Sequence, residues 1–393
     1  MTASGVPPKV FIIAGEHSGD ALGASLMAAL HVKLGGDVAF AGVGGPLMRE
    51  AGLDSLFPME DLAVMGVFEV LPRLPLLLRR MRETADEIEN LQPDVVISID
   101  APDFCFRVIK KIKARGVYTP VVHYVAPSVW AWRPGRAAKV AKFLDHILCL
   151  LPFEPPYFHR EGLDATFVGH PVVAGQLGEG DGAAFRARHD IATDAPLLCL
   201  LPGSRSGEIS RLLGVFGEAA QRLAVQAEGL RIVIPAVDHL KSILRDVTQD
   251  WPVDTIVVDA QEKGDAFDAS NVALAASGTV TLELAMAKLP HVIGYRLNAL
   301  TAFLAKRLIK TPYVNLINIC LGREAVPEFL LEDCTADNLA RELARLLGDV
   351  QARDTQIAAA HEALVQLGHG GLPPGERAAD VVLSVMNTAR EEA

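Results

Sequence analysis

Short, continuous apolar runs separated by helical patterns recur along almost the whole of this chain, and that rhythm leaves few folds open. Val10–Ala14, Val38–Gly42, Val95–Ile99, Val121–Val125, His146–Leu151 and Thr166–Gly169 are the runs of the first half. Several do not alternate polar with apolar residues, as expected for strands covered on both faces of a parallel sheet. Between them lie stretches with helical spacing, such as Ala21–Leu34, which puts Leu22, Leu26 and Leu30 on one face, and Phe104–Arg115. The alternation predicts βαβ units and a doubly wound α/β sheet.

A polar, glycine-rich stretch from Gly175 to Ala184 reads as a linker, after which the pattern restarts. Leu197–Leu201, Arg231–Pro235, Thr255–Val258, Val272–Ala275 and Val292–Tyr295 are the strands expected there. A length of 393 residues suits two domains. We place them at 1–172 and 185–345, followed by a helical tail over 346–393 that packs across the domains or onto a partner subunit. Ligands of such sheets bind beyond the carboxyl ends of the strands. Two sheets facing each other across a central cleft would therefore hold one substrate on each side.

Composition removes some functions. Lys and Arg total 37 against 48 for Asp and Glu, a net charge of −11, so a general nucleic-acid binder is disfavoured. The five cysteines show no CxxC spacing and read as free thiols of a reducing compartment. The first apolar run is too short for a signal peptide, and no stretch is long enough to span a bilayer. A cytoplasmic protein is expected.

Four loops directly after strand candidates carry the chemistry. Ala14-Gly15-Glu16-His17-Ser18-Gly19-Asp20 offers a helix start suited to an anion or a sugar hydroxyl, or simply a Ser18 cap. In Ser98-Ile99-Asp100-Ala101-Pro102-Asp103-Phe104, Pro102 should hold Ala101 extended and Asp103 should cap the next helix. Asp100 then stands at the lip of the sheet, where a carboxylate is placed to act as a general base. Leu201-Pro202-Gly203-Ser204-Arg205-Ser206-Gly207-Glu208 exposes backbone and an arginine fork to phosphate oxygens. Ser277, Gly278 and Thr279 could present hydroxyls and N–H groups to a diphosphate. Glu283 is one turn further on, where capping fails to explain it because position 280 is Val.

Other templates fail. Gly42-Val43-Gly44-Gly45-Pro46-Leu47 lacks the third glycine of a dinucleotide fingerprint, and the chain has no HExxH and no GxSxG elbow. No metal and no cofactor is expected. The segment from Val64 to Arg80 is rich in large apolar residues, carries two prolines and ends in arginines. It is either buried helix or a surface that dips into a bilayer, with Val67, Phe68, Leu71, Leu74, Leu77 and Leu78 towards lipid and Arg79 and Arg80 at anionic head groups. Leu300–Lys310 could act similarly.

Taken together, the loops resemble the lipid-A-disaccharide synthases, glycosyltransferases of the GT-B fold. The resemblance rests on AGEHSGD (14–20), GVGGPLM (42–48), MGVFEVL (65–71), SIDAPDF (98–104), YVAPSVWAWRPGR (124–136), FVGHP (167–171), LPGSRSGEI (201–209), ASGTVTLE (276–283) and PYVNLIN (312–318), in that order. It implies inverting transfer from UDP-2,3-diacylglucosamine to 2,3-diacylglucosamine 1-phosphate, giving a β-1,6-linked disaccharide and UDP. By resemblance Asp100 is the base, and Glu16, Ser18 and Gly19 line the acceptor side. Arg205, Ser277, Gly278, Thr279, Glu283 and Asn318 line the UDP side. The family further implies a homodimer peripherally associated with the inner membrane. The alternatives are another GT-B UDP-sugar enzyme, such as a UDP-N-acetylglucosamine 2-epimerase, and a non-catalytic lipid-binding relative.

Overall fold

A computed structural model describes residues 7–62, 67–175, 179–297 and 311–391, with the side chains of 67–71 left out of the description. It divides into two compact units. One comprises the residues up to Pro171 together with those from Gly370, and the other runs from Val172 to His369.

The first unit holds seven parallel strands: β1 (Lys9–Ala14), β2 (Ala39–Val43), β3 (Asp54–Ser55), β4 (Val95–Ile99), β5 (Val121–Tyr124), β6 (His146–Cys149) and β7 (Asp164–Phe167). Their order is β3-β2-β1-β4-β5-β6-β7. Strand β1 shows why its sequence needs no polar alternation. Phe11 and Ile13 enter one core, with Ile109 and Ile112 of the helix Pro102–Ala114. Val10, Ile12 and Ala14 enter the opposite core, with Leu22, Leu26 and Leu30 of the helix His17–Lys33. Both faces are dry, so every position is apolar.

The second core is completed by the helix Pro374–Glu391, which contributes Ala378, Ala379, Val382 and Met386. Lys33 pairs with Asp380 at 2.7 Å, Arg377 donates to the Phe167 carbonyl at 2.9 Å and Arg390 reaches Asp94 at 2.8 Å. The tail is divided between the two units. Its earlier helix, Val350–Gln366, belongs to the second unit, and the last helix to the first.

The second unit contains β8 (Leu197–Leu201), β9 (Arg231–Ala236), β10 (Thr255–Asp259), β11 (Val272–Ala275), β12 (His291–Tyr295) and β13 (Glu328–Leu330), in the order β10-β9-β8-β11-β12-β13. Leu198 and Leu200 face the helices Ser206–Ala224 and Ala336–Gly348. Leu197, Cys199 and Leu201 face Phe185, Ala266 and Phe267. The stretch expected as a linker ends earlier than its composition suggests. Asp181 caps a helix, Gly182–Arg188, and the Asp181 and Gly182 N–H groups dock on Asp265 and Asp268.

Each strand order reverses direction once, between β1 and β4 and between β8 and β11. Open α/β sheets bind ligands beside such switch points, at the carboxyl ends of the flanking strands. All four loops singled out by sequence lie there: Ala14–Asp20 and Asp100–Phe104 at one, 201–208 and 276–283 at the other.

Candidate functional site

At the first switch point the two loops are in contact. A Cβ built on Gly15 would lie 2.8 Å from the Ala101 Cβ, so only glycine lets the backbones approach this closely. Asp100 and Ala101 both adopt left-handed backbone, with φ of 47° and 41°. Ala101 is therefore not extended, contrary to the expectation from Pro102. The proline bias yields because Asp100 N–H donates to the Tyr124 carbonyl at 3.0 Å, fixing where β4 ends, and the chain must turn sharply into the helix. Asp103 does not cap that helix. Ala101 occupies the cap position, Pro102 follows, and Asp103 is an exposed residue of the first turn.

Asp100 is half-buried, and burial raises its carboxyl above the usual range, partly offset by the Ala101 backbone N–H. Beneath it Ser98 Oγ lies 2.8 Å from Nδ1 of His123, a fully buried imidazole. Burial, aided by the positive charge of Arg136, pushes His123 down to about 3, so it is neutral.

In the neighbouring loop Glu16 takes the N-cap position with no side-chain cap bond, Ser18 is exposed and Gly19 is buried. Ser18 is thus not a cap. The last residue of the motif has a role that sequence reading missed. Asp20 is buried and accepts the N–H groups of Gly45, Leu47 and Met48 at 2.8, 3.0 and 3.0 Å. It caps the helix Pro46–Glu50 from another element, which explains why the Gly-Gly-Pro stretch must come so close.

At the second switch point a cavity of about 410 Å³ opens between 201–208 and 276–283. Arg205, Ser277, Gly278, Thr279 and Glu283 all line it. Ile234, Pro235, Ala236, Val237 and Leu240 supply an apolar wall. Lys263, on a helix no motif marked, also lines it and pairs with Glu283 at 2.7 Å. Glu208 accepts from the Ser204 N–H at 3.2 Å and reaches Arg205 at 3.4 Å, so an internal carboxylate satisfies part of the loop. Ser277 Oγ donates to the Val314 carbonyl at 3.1 Å.

Asn318 does not line this cavity. It is fully buried, and its amide is saturated internally. Nδ2 donates to Val326 O and Glu328 Oε1 at 2.7 and 2.6 Å, while Oδ1 accepts Ala325 and Val326 N–H at 2.8 and 2.9 Å. Two donors and two acceptor sites are all such an amide has. The expected nucleotide contact is replaced by a strut. Through Glu328, which also accepts the Val314 and Asn315 N–H groups, it fixes the segment behind Ser277.

In the apolar segment one helix, Val67–Leu91, incorporates both Pro72 and Pro75. Leu74 and Leu78 are each 40% exposed, Leu77 is half-buried and Arg79 is exposed. Arg80 is not available to head groups as expected. It bridges Asp61 and Glu83, each at 2.7 Å, and covers the Phe57 ring. The side chains of Val67, Phe68 and Leu71, and all of Leu300–Lys310, lie outside the described residues. Among the described residues no helix is long and apolar enough to cross a membrane.

Residues 10–370 match the family described as lipid-A-disaccharide synthetase. Two curated relatives carry the name lipid-A-disaccharide synthase. One, from Rhodospirillum centenum, is 54% identical over 97% of this chain and 95% of its own length. The other, from Paramagnetospirillum magneticum, is 48% identical over 98% and 99%. Among solved structures, a glycosyltransferase from Rickettsia africae aligns with a TM-score of 0.61 at 11% identity, over 97% of this chain and 99% of that one. A UDP-GlcNAc 2-epimerase from Neisseria meningitidis bound to UDP-GlcNAc gives 0.61 at 11%, over 97% and 100%. At such identities the structural likeness shows the shared fold alone.

Proposed function

The chain belongs to the lipid-A-disaccharide synthetase family, and from that premise we propose how its residues divide the work. The protein is a glycosyltransferase of lipid A biosynthesis with the two-sheet GT-B architecture. It joins UDP-2,3-diacylglucosamine to 2,3-diacylglucosamine 1-phosphate, forming the β-1,6-linked disaccharide and UDP.

In this reading Asp100 removes the proton from the acceptor 6-hydroxyl as its oxygen attacks the donor's anomeric carbon and UDP leaves from the opposite side. The observation that carries the assignment is the position of Asp100 at the lip of the switch point, with a carboxyl that burial makes more basic than an exposed aspartate. Glu16, Ser18 and Gly19 stand beside it, on the loop held against Ala101, and take the acceptor sugar. UDP occupies the cavity of the second unit. Arg205 and Lys263 face the negative charge that grows on the departing diphosphate. Thr279 and the Gly278 backbone offer donors to its oxygens, Ser277 orients that loop, and Glu283 accepts from ribose hydroxyls. No metal is invoked in this reading. Leu74, Leu78 and Arg79 contact the membrane in which the acyl chains reside.

The test is UDP release from the acylated donor, with and without the acceptor, in detergent with EDTA. Acceptor-dependent release is expected. No release with the acylated lipids, but epimerisation of unacylated UDP-N-acetylglucosamine, would overturn the reading.

A further inference from the structure

The segment after β5 has no role in the reaction described so far, and its construction is specific. Burial and two hydrogen bonds anchor its root. Glu154, 3% exposed, accepts Trp130 Nε1 at 3.1 Å and the Leu151 N–H at 3.0 Å, locking the segment to the loop after β6. Phe153 packs edge-on to Trp130 at 5.2 Å.

On this anchored base stands a turn closed by the Arg136 N–H donating to the Arg133 carbonyl at 2.9 Å. Such a turn brings its first and fourth residues within about 7 Å. Arg133 is held in left-handed backbone at φ 53°, an uncommon conformation for a side chain of that size. Its guanidinium stacks on the exposed Trp132 ring at 4.2 Å, and that of Arg136 lies 5.8 Å from the Phe106 ring.

Neither guanidinium meets a carboxylate among the described residues; each lies instead over an aromatic ring. Aromatic faces hold the two forks in place and leave their N–H edges unspent. The segment follows the carboxyl end of β5, whose neighbour in the sheet is β4, and Phe106, over which Arg136 lies, belongs to the helix that Asp100 introduces.

We propose that Arg133 and Arg136 form the site for the acceptor's anomeric phosphate, an inference that rests on the glycosyltransferase reading above. A phosphomonoester dianion is the kind of group that two guanidinium forks on one tight turn can bind together. Fixing it there anchors the acceptor at the end remote from its 6-hydroxyl, so binding at the phosphate orients the hydroxyl for Asp100. The pair selects the phosphorylated monosaccharide over its dephosphorylated form.

The experiment compares wild type, R133Q, R136Q and R136K at saturating donor, with 2,3-diacylglucosamine 1-phosphate and with the same lipid lacking phosphate. Wild type is expected to use the dephosphorylated acceptor at least about 10-fold less efficiently. Each Gln variant should lose a similar factor in acceptor kcat/KM on the phosphorylated lipid alone, with donor KM unchanged, and R136K should fall between. Equal losses on both acceptors, or a raised donor KM, would overturn the assignment. Arg133 is exposed, so R133Q tests the proposal even where a change at Arg136 disturbs folding. A phosphate-independent loss that tracks weaker binding to phosphatidylglycerol vesicles would assign the pair to lipid head groups and likewise overturn it. No disaccharide from wild type with either acceptor would instead sink the underlying reading.

Discussion

Gly15 and Ala101 meet with no room for a methyl group between them: a Cβ on the first would stand 2.8 Å from that of the second. Ordinary carbon contacts are about 3.5–4.0 Å. This single contact sets how closely the loop carrying Glu16 approaches the loop carrying Asp100.

Gly15→Ala should therefore separate the loops, costing about 1–3 kcal/mol of stability through overpacking and a larger share of turnover. Ala101→Gly alone should be nearly neutral in stability. It relieves left-handed strain of about 1–2 kcal/mol and adds about 0.5–1 kcal/mol of backbone entropy cost. The double variant should recover most of the Tm and activity that Gly15→Ala loses. Thermal melts and turnover of the four proteins form the cycle, and simple additivity would show that the contact is not what matters.

Asp100→Asn should reduce kcat about 10²–10⁴-fold, the range for a general base. Because burial raises the Asp100 carboxyl, the acid limb of the wild-type pH profile should fall at a higher pH than an ordinary aspartate would give. The same shift works against the fold. A folded-state value above the unfolded one means stability is lost as pH rises through that window. Asp100→Asn should consequently melt higher than wild type at neutral pH. A variant that is both inactive and less stable would argue for a structural role.

Glu154 makes a sharper pH prediction. Burial raises its carboxyl to about 7 from 4.5, although Leu151 and Trp130 donate to it. Stability tied to this group should be fully present below about pH 4.5 and decline up to about pH 7, on the order of 3 kcal/mol in all. Glu154→Gln cannot ionise, so its Tm relative to wild type should improve steadily across that interval. A difference between the two that does not vary with pH would refute the assignment.

Lys263→Met leaves Glu283 without its cation and removes one positive charge from the cavity. A charge-assisted hydrogen bond contributes about 1.5–3 kcal/mol, so UDP affinity should fall roughly 10- to 100-fold. Calorimetry with uridine, which keeps the ribose contact to Glu283 but has no diphosphate, should show a smaller loss. A similar loss for both ligands would mean that Lys263 acts through Glu283 on the ribose and not on the phosphates.

The strands were legible because burial on both faces demands continuous apolar runs, which is why β1 and β8 stand out in the sequence. The edge strands β3 and β13 were not, since two or three residues with half-buried or exposed side chains leave no run to read. Motif residues located the switch points but not their internal wiring. Asn318 looks like a ligand-facing group on paper, and Asp20 has no visible role there, because their partners, Ala325 to Glu328 and Gly45 to Met48, satisfy them only after folding. Lys263 carries no local signal at all: it lies 20 positions before Glu283 on a different element. Ala101 escaped because a statistical preference before proline yields to tertiary contacts.

The helix Pro374–Glu391 fills a core otherwise built from residues before 171. A chain emerging from the ribosome meets this in time as well as in space. The second unit is continuous and can close as soon as residue 369 is free. The first has to wait, with Leu22, Leu26 and Leu30 uncovered, until another twenty or so residues have followed. The part made first is therefore the part finished last.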